Sequence, residues 1–202
     1  MSPSSDGKDR ARSRFHAETP DVLTPQQKEL YDAIVGSPAR KGASGVAVTD
    51  SLGRLVGPFG IMTITPGVGA AVNQLGIALR TQSCLDPRSR ELAILVVAAN
   101  YHSTFEWQAH EPAARVAGVS SEQLTELKLN RSLSGLNEAE SASVLVARAL
   151  VERGNLSDSD YDVAVDVLGA AAVAELVWLC GYYSMLAVAL RVFDSVPNIP
   201  KD

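Results

Sequence analysis

Residues 86–118 read DPRSRELAILVVAANYHSTFEWQAHEPAARVAG, and this stretch decides the fold. Asp86-Pro87 is a helix start. The carboxylate can cap free backbone N–H groups, and proline suits the first helical position, where no N–H bond is required. Leu92 to Ala99 is an unbroken apolar run. Periodicity alone does not separate such a run from a buried strand, but the Asp-Pro start and the length out to Asn100 favour a helix. A second helix begins near Ser103 and ends at Gly118, a residue suited to the position just past a helix C-terminus. Pro112 falls inside it, where it removes the N–H bond to the carbonyl of Gln108 and tends to kink the helix.

The same punctuation continues in both directions. Thr24-Pro25-Gln26-Gln27 is an N-cap with proline at the first helical position and a capping glutamine, followed by Leu30, Ile34 and Val35. From Gly36 to Gly60 the chain is rich in Gly, Ser and Pro and reads as a long surface loop, a kind of segment that often carries function. Thr65-Pro66 opens a helix to about Arg80, with Val68, Val72, Leu75 and Leu79 on one side. Ser120 to Gln123 and Asn137 to Glu140 are capping boxes for two more helices. Gly154 closes the second of these, Ser157 or Asp158 opens the next, and Ala170 to Asp194 forms a last long helix. No run of alternating strands occurs, so the expected class is all-α: a helical bundle over 20–202, preceded by a disordered arm over 1–19.

Composition narrows the function. The chain has 202 residues, 46% apolar and 20% charged, enough for one substantial core and unlike a disordered protein. Its 18 Lys and Arg against 23 Asp and Glu leave a net charge of -5, which argues against binding nucleic acid or an anionic membrane surface. The polar N-terminal stretch lacks the apolar region of a secretory signal. Ala171 to Leu190 carries one charge, Glu175, and is long enough to span a bilayer. Its many alanines, its central Gly181-Tyr182-Tyr183-Ser184 and its lack of a basic N-terminal flank favour a helix buried in a bundle or a subunit interface. No membrane partner and a cytoplasmic location are therefore expected. Cys84 and Cys180 are too far apart in sequence for a CxxC centre or a thiolate zinc site.

The chemistry-bearing residues cluster in the opening stretch. Glu106 and His110 are four residues apart and share a helix face, an arrangement that is also ordinary helix decoration. His16 lies in the polar arm, and His102 falls at a helix junction. Glu91 precedes the apolar run. Burial there would raise its pKa and a nearby histidine would pull it back, although a carboxylate in the first turns of a helix is also favoured by the helix dipole alone.

These residues resemble a known family. Arg88 to Leu95, then Glu106-Trp107-Gln108-Ala109-His110, then Ala117-Gly118-Val119 are similar to the core motif of the carboxymuconolactone decarboxylase / AhpD-like superfamily. The resemblance is specific over about residues 85–125. It is looser elsewhere, at Leu23 to Pro25, Gly57 to Phe59 and Leu190 to Pro197. It implies an all-helical fold assembled as a homo-oligomer, a trimer or a hexamer. Counting from Glu91, the two thiols and the histidine of the family's peroxidase branch fall on Ser103, Glu106 and His110. The acid and the histidine match, while both thiols are replaced. A hydroxyl and a carboxylate cannot form a disulfide or attack a peroxide, so alkylhydroperoxidase chemistry is excluded.

The resemblance points instead to the thiol-free decarboxylase branch: proton transfer on a small carboxylated lactone or related carbonyl compound, a lyase reaction without metal or organic cofactor. In that reading His110 is the general acid and base, Glu91 orients it, and Glu106 is a second proton carrier or orients substrate. Ser103 and Trp107 are candidate substrate contacts. Arg80, with Arg90 and Arg115 as alternatives, is the candidate partner for a substrate carboxylate. Two other readings stay open: a metal held by Glu91, Glu106 and His110, and a non-catalytic oligomeric binding or stress protein that keeps the fold.

Overall fold

The computed structural model describes residues 14–38 and 46–193. Among them are nine helices and no strand: α1 (Pro25–Val35), α2 (Pro58–Met62), α3 (Pro66–Thr81), α4 (Pro87–Asn100), α5 (Thr104–Val116), α6 (Ser121–Lys128), α7 (Glu138–Arg153), α8 (Asp158–Leu168) and α9 (Ala170–Phe193). The caps stand where the sequence put them. Thr24 with Gln27, Ser120 with Gln123, and Asn137 with Glu140 form reciprocal capping boxes. Ser157 rather than Asp158 caps α8, and Gly154 ends α7 in the left-handed conformation at φ 70°. The Asp86 side chain accepts from the backbone N–H groups of Arg88 and Ser89 at 3.0 Å, which fixes where α4 begins.

Helix α4 is the axis of the fold, packed against α5, α7 and α9. Its stretch from Leu92 through Ala98 is apolar and buried on every side, with Leu92 and Leu95 at 0% exposure. Each such leucine or isoleucine contributes about 1.5–3 kcal/mol relative to solvent exposure. That continuous burial explains why the run lacks helical periodicity.

Three expectations change. The segment read as a loop to Gly60 contains the start of α2, and before it a short antiparallel bridge pairs Thr49 with Leu55. Residues 39–45 of that segment lie outside the described residues. Secondly, the stripe Val68, Val72, Leu75 and Leu79 is not the buried side of α3. Val68 and Leu75 are exposed, and the buried positions are Gly69, Asn73, Gly76 and Leu79. Close approach decides this: a Cβ on Gly69 would lie 2.1 Å from the Met62 carbonyl oxygen, and one on Gly76 would lie 2.2 Å from the Tyr182 hydroxyl. Thirdly, part of the expected disordered arm is docked. Arg14 donates to the Val192 carbonyl at 3.1 Å, and Phe15 packs edge-on against Phe193 with ring centroids 6.2 Å apart. Residues 1–13 of that arm lie outside the described residues.

Helix α9 is long and apolar enough to cross a membrane by length and composition, and half of its apolar window is buried in the bundle. Its inner face carries Leu176, Leu179, Tyr182, Tyr183 and Leu186, all buried. The opposite face exposes Val177, Trp178, Met185, Val188 and Val192.

Candidate functional site

Residues 101–103 turn the chain from α4 into α5, with His102 exposed and in the left-handed region at φ 51°. Ser103 then caps α5, its hydroxyl oxygen accepting from the Glu106 backbone N–H at 3.4 Å. The hairpin brings α5 back against α4, and residues far apart in sequence meet across the seam. His110 Nδ1 lies 2.8 Å from Glu91 Oε2, with both side chains buried. Arg90 Nε approaches the other Glu91 oxygen at 3.4 Å. The Tyr183 ring stands at right angles to the His110 ring, 4.9 Å between centroids, and so limits its rotation.

Burial acts on both carboxyls of this seam, with opposite net shifts. Burial pushes Glu91 up, but the hydrogen bond and charge of His110, together with Arg90, outweigh it and leave the carboxyl below its ordinary value. Glu91 is therefore an anion, and His110 Nδ1 carries the hydrogen and donates. Glu106 is 3% exposed and its Oε1 has no hydrogen-bond partner among the described residues. Burial lifts it to about 7 against the weaker opposing pull of His110 and Arg80. This is the difference expected between a carboxylate given a cationic partner and one merely desolvated. Tyr183 is likewise raised by burial and stays a neutral phenol.

These groups line one cavity of about 100 Å³. Arg80 enters from α3, Arg90 and Glu91 from α4, and Phe105, Glu106 and His110 from α5. Tyr182, Tyr183 and Leu186 of α9 form a further wall. Val48, Pro58 and Phe59 close the remaining side. The cover fits tightly: Gly57 has φ 59°, and a Cβ there would lie 2.4 Å from the Phe105 ring.

The sequence candidates divide accordingly. Glu91, Glu106, His110 and Arg80 are brought together, with Arg90. Ser103 is a helix cap and does not line the cavity. Trp107 is also outside it. It is buried in the core, donates from Nε1 to Glu111 and lies under Lys128, whose Nζ is 4.6 Å from the ring centroid. Arg115 is bound to Glu111 and Ser121 on the surface. Tyr183, Tyr182 and Phe59 escaped the sequence reading. The one available signal was the polar interruption Gly181 to Ser184 in an apolar helix.

Glu91 Oε2 and His110 Nδ1 face each other instead of converging on a point, and among the described residues no three His, Cys, Asp or Glu side chains could together hold a metal ion. Both cysteines are free thiols. Cys84 is exposed and raised by its bond to Glu175, while burial pushes Cys180 up to about 12, so neither is an activated nucleophile.

Residues 66–149, from α3 into α7, match the model of the carboxymuconolactone decarboxylase family. That segment, less than half of the chain, is what resembles the family. It supplies Arg80, Glu91, Glu106 and His110, whereas the α9 wall and the cover from Val48 to Phe59 lie outside the family match. Among solved structures, the apo debrominase Bmp8 is similar, with a TM-score of 0.63 over 85% of this chain and 86% of that one. At 14% identity this likeness establishes a shared fold. No curated protein matches the chain in sequence.

Proposed function

We propose that the protein is a cofactor-independent acid–base enzyme, a decarboxylase-like lyase acting on a small carboxylated lactone or related carbonyl compound, with His110 as general acid and base. The observation that carries this reading is the buried His110 Nδ1 to Glu91 Oε2 contact at 2.8 Å. With Nδ1–H committed to a carboxylate, Nε2 is the ring nitrogen left to exchange a proton with substrate. In the reaction the bond from carbon to the carboxylate breaks, carbon dioxide leaves, and the electron pair is delocalised as a dienolate. A proton from Nε2 to carbon completes the step. The apolar walls strengthen the attraction of Arg80 for the substrate's anionic group. Ordinary general acid–base catalysis of this kind contributes about 10²–10⁴-fold.

The test compares wild type with His110→Ala on γ-carboxymuconolactone, following lactone loss and carbon dioxide release together. Turnover by wild type that falls at least about 100-fold in a still-folded variant is expected. Equal turnover by both proteins would remove His110 from the chemistry, and no turnover by either would remove this substrate.

The same reading makes the protein a cytoplasmic homo-oligomer, trimeric or hexameric, with a small-molecule substrate and neither nucleic-acid nor membrane partners. The exposed apolar face of α9, with Trp178 at 65% exposure, supports self-association, and the net charge of -5 supports the absence of nucleic acid. Sedimentation of wild type and of Trp178→Glu checks the assembly.

A further inference from the structure

Three groups that line the cavity are left with unused capacity by the contacts around them. His110 Nε2 has no hydrogen-bond partner among the described residues, because the ring's only such contact is through Nδ1. Glu106 is buried with Oε1 unpartnered. Arg80 makes no ion pair or hydrogen bond among the described residues, whereas neighbouring Arg90 is committed to Glu91. The other charged or titratable groups facing the space are Glu91, an anion already used by His110, and the phenols Tyr182 and Tyr183. One ring nitrogen, one buried carboxyl and one cation thus remain for a ligand. Each selects a different feature: the cation an anionic group, the carboxyl an oxygen that gains electron density, and the imidazole a C–H bond made acidic by that oxygen. A cavity of about 100 Å³ admits only a small ligand, in which such features fall on neighbouring atoms. Carboxylate, carbonyl and C–H on three consecutive carbons describe a 2-oxo acid.

We infer that this cavity enolises small 2-oxo acids, with Arg80 holding the carboxylate, Glu106 giving a proton to the carbonyl oxygen and His110 Nε2 taking a proton from the neighbouring carbon. The inference rests on the acid–base reading of the site but is separate from decarboxylation. In the forward step the C3–H bond breaks and its proton passes to Nε2. The electron pair becomes the C2–C3 double bond, and the carbonyl oxygen takes the Glu106 proton as a hydroxyl. Reversal restores the ketone and both side chains. Nothing is oxidised or reduced, and no co-reactant enters. The near-neutral poise of Glu106 suits it to give up and recover a proton at physiological pH.

The experiment follows 2-oxobutanoate in D₂O by proton NMR. Wild type is expected to exchange the C3 hydrogens for deuterium with the carboxylate retained. His110→Ala and Glu106→Gln should each slow exchange about 100-fold or more. Arg80→Gln should raise KM about tenfold while changing kcat much less, the signature of lost binding. Thermal unfolding establishes that each variant is folded. An infrared carbonyl band of a protonated carboxylic acid, present in wild type at pH 6 and absent in Glu106→Gln, reports the uncharged donor without any turnover. No exchange by wild type above the buffer rate, wild-type exchange by Glu106→Gln, or absence of that band at pH 6 would overturn the inference. Lactone decarboxylation without oxo-acid exchange sinks this inference alone. Exchange without lactone turnover keeps it and removes the decarboxylase reading, and the absence of both removes the two together.

Discussion

The α4–α5 seam and the outer face of α9 are inversions of each other. In the seam, Glu91, Glu106 and His110 are buried among apolar walls. On α9, Val177, Trp178, Met185 and Val188 face outward where polar residues would be ordinary. Each departure has a free-energy cost, and the two costs are met differently. The seam meets most of its own, because Glu91 finds His110 and Arg90 inside the same chain. Among the described residues nothing covers this face of α9. A buried polar residue that is satisfied internally therefore differs from one left open, and Glu106 Oε1 is the position in the seam that behaves like the outer face. Unmet capacity is the common sign of a place where something else binds.

Breaking the seam is expected to have the largest effect. Glu91→Ala removes the anion from a buried pair and should cost about 3–5 kcal/mol, read as a lowered midpoint in urea unfolding at pH 7. The pair also sets a pH limit. Because the folded carboxyl lies below its ordinary value of 4.5, its stabilisation is present above that value and is lost as pH falls through the folded one. Glu106 has the opposite sign. Its folded pKa of about 7 lies above 4.5, so stability falls as pH rises between those two values and stays reduced above them. Glu106→Gln should abolish that fall and leave the variant more stable than wild type at pH 8 by an amount on the order of a few kcal/mol, measured by unfolding across pH 4–8.

A smaller effect is expected where the seam meets α9. Gly76→Ala sets a methyl against the Tyr182 hydroxyl and should cost about 1–3 kcal/mol as Tyr182 shifts in the wall of the cavity. Calorimetry reads the stability, and the exchange assay reads the wall. The smallest change in chain stability should come from the outer face. Trp178→Ser removes an exposed ring and should alter unfolding of the isolated chain by no more than about 0.5 kcal/mol. Its effect should appear in sedimentation. A large stability loss at low protein concentration would instead make that ring part of the core and dissolve the comparison.

Local features were the legible ones. Caps such as Thr24, Ser120 and Asn137 depend on contacts three residues apart, so spacing alone announces them. The Glu91–His110 contact spans a hairpin and became an expectation only through likeness to a family. Trp107 lies outside the cavity for a geometric reason. It sits one residue beyond Glu106, about 100° round the helix, and faces Glu111 and Lys128 instead of the cavity. Helix α2 was hidden because Gly57-Pro58-Phe59-Gly60 has the composition of a turn, while Pro58 in fact occupies a first helical position. The small buried face of α3 inverted the usual reading of an apolar stripe, since close approach of Tyr182 and Met62 favours glycine over leucine.

The turn through His102 acts as a ruler. It fixes how many residues separate Glu91 from His110 along the hairpin, and the two side chains meet only at that count. One residue inserted between Thr104 and His110 would carry the imidazole about 100° round α5, away from Glu91, even with every present side chain retained. Exchanging other residues in this hairpin leaves the register of the pair unchanged, whereas changing the length of the hairpin shifts it.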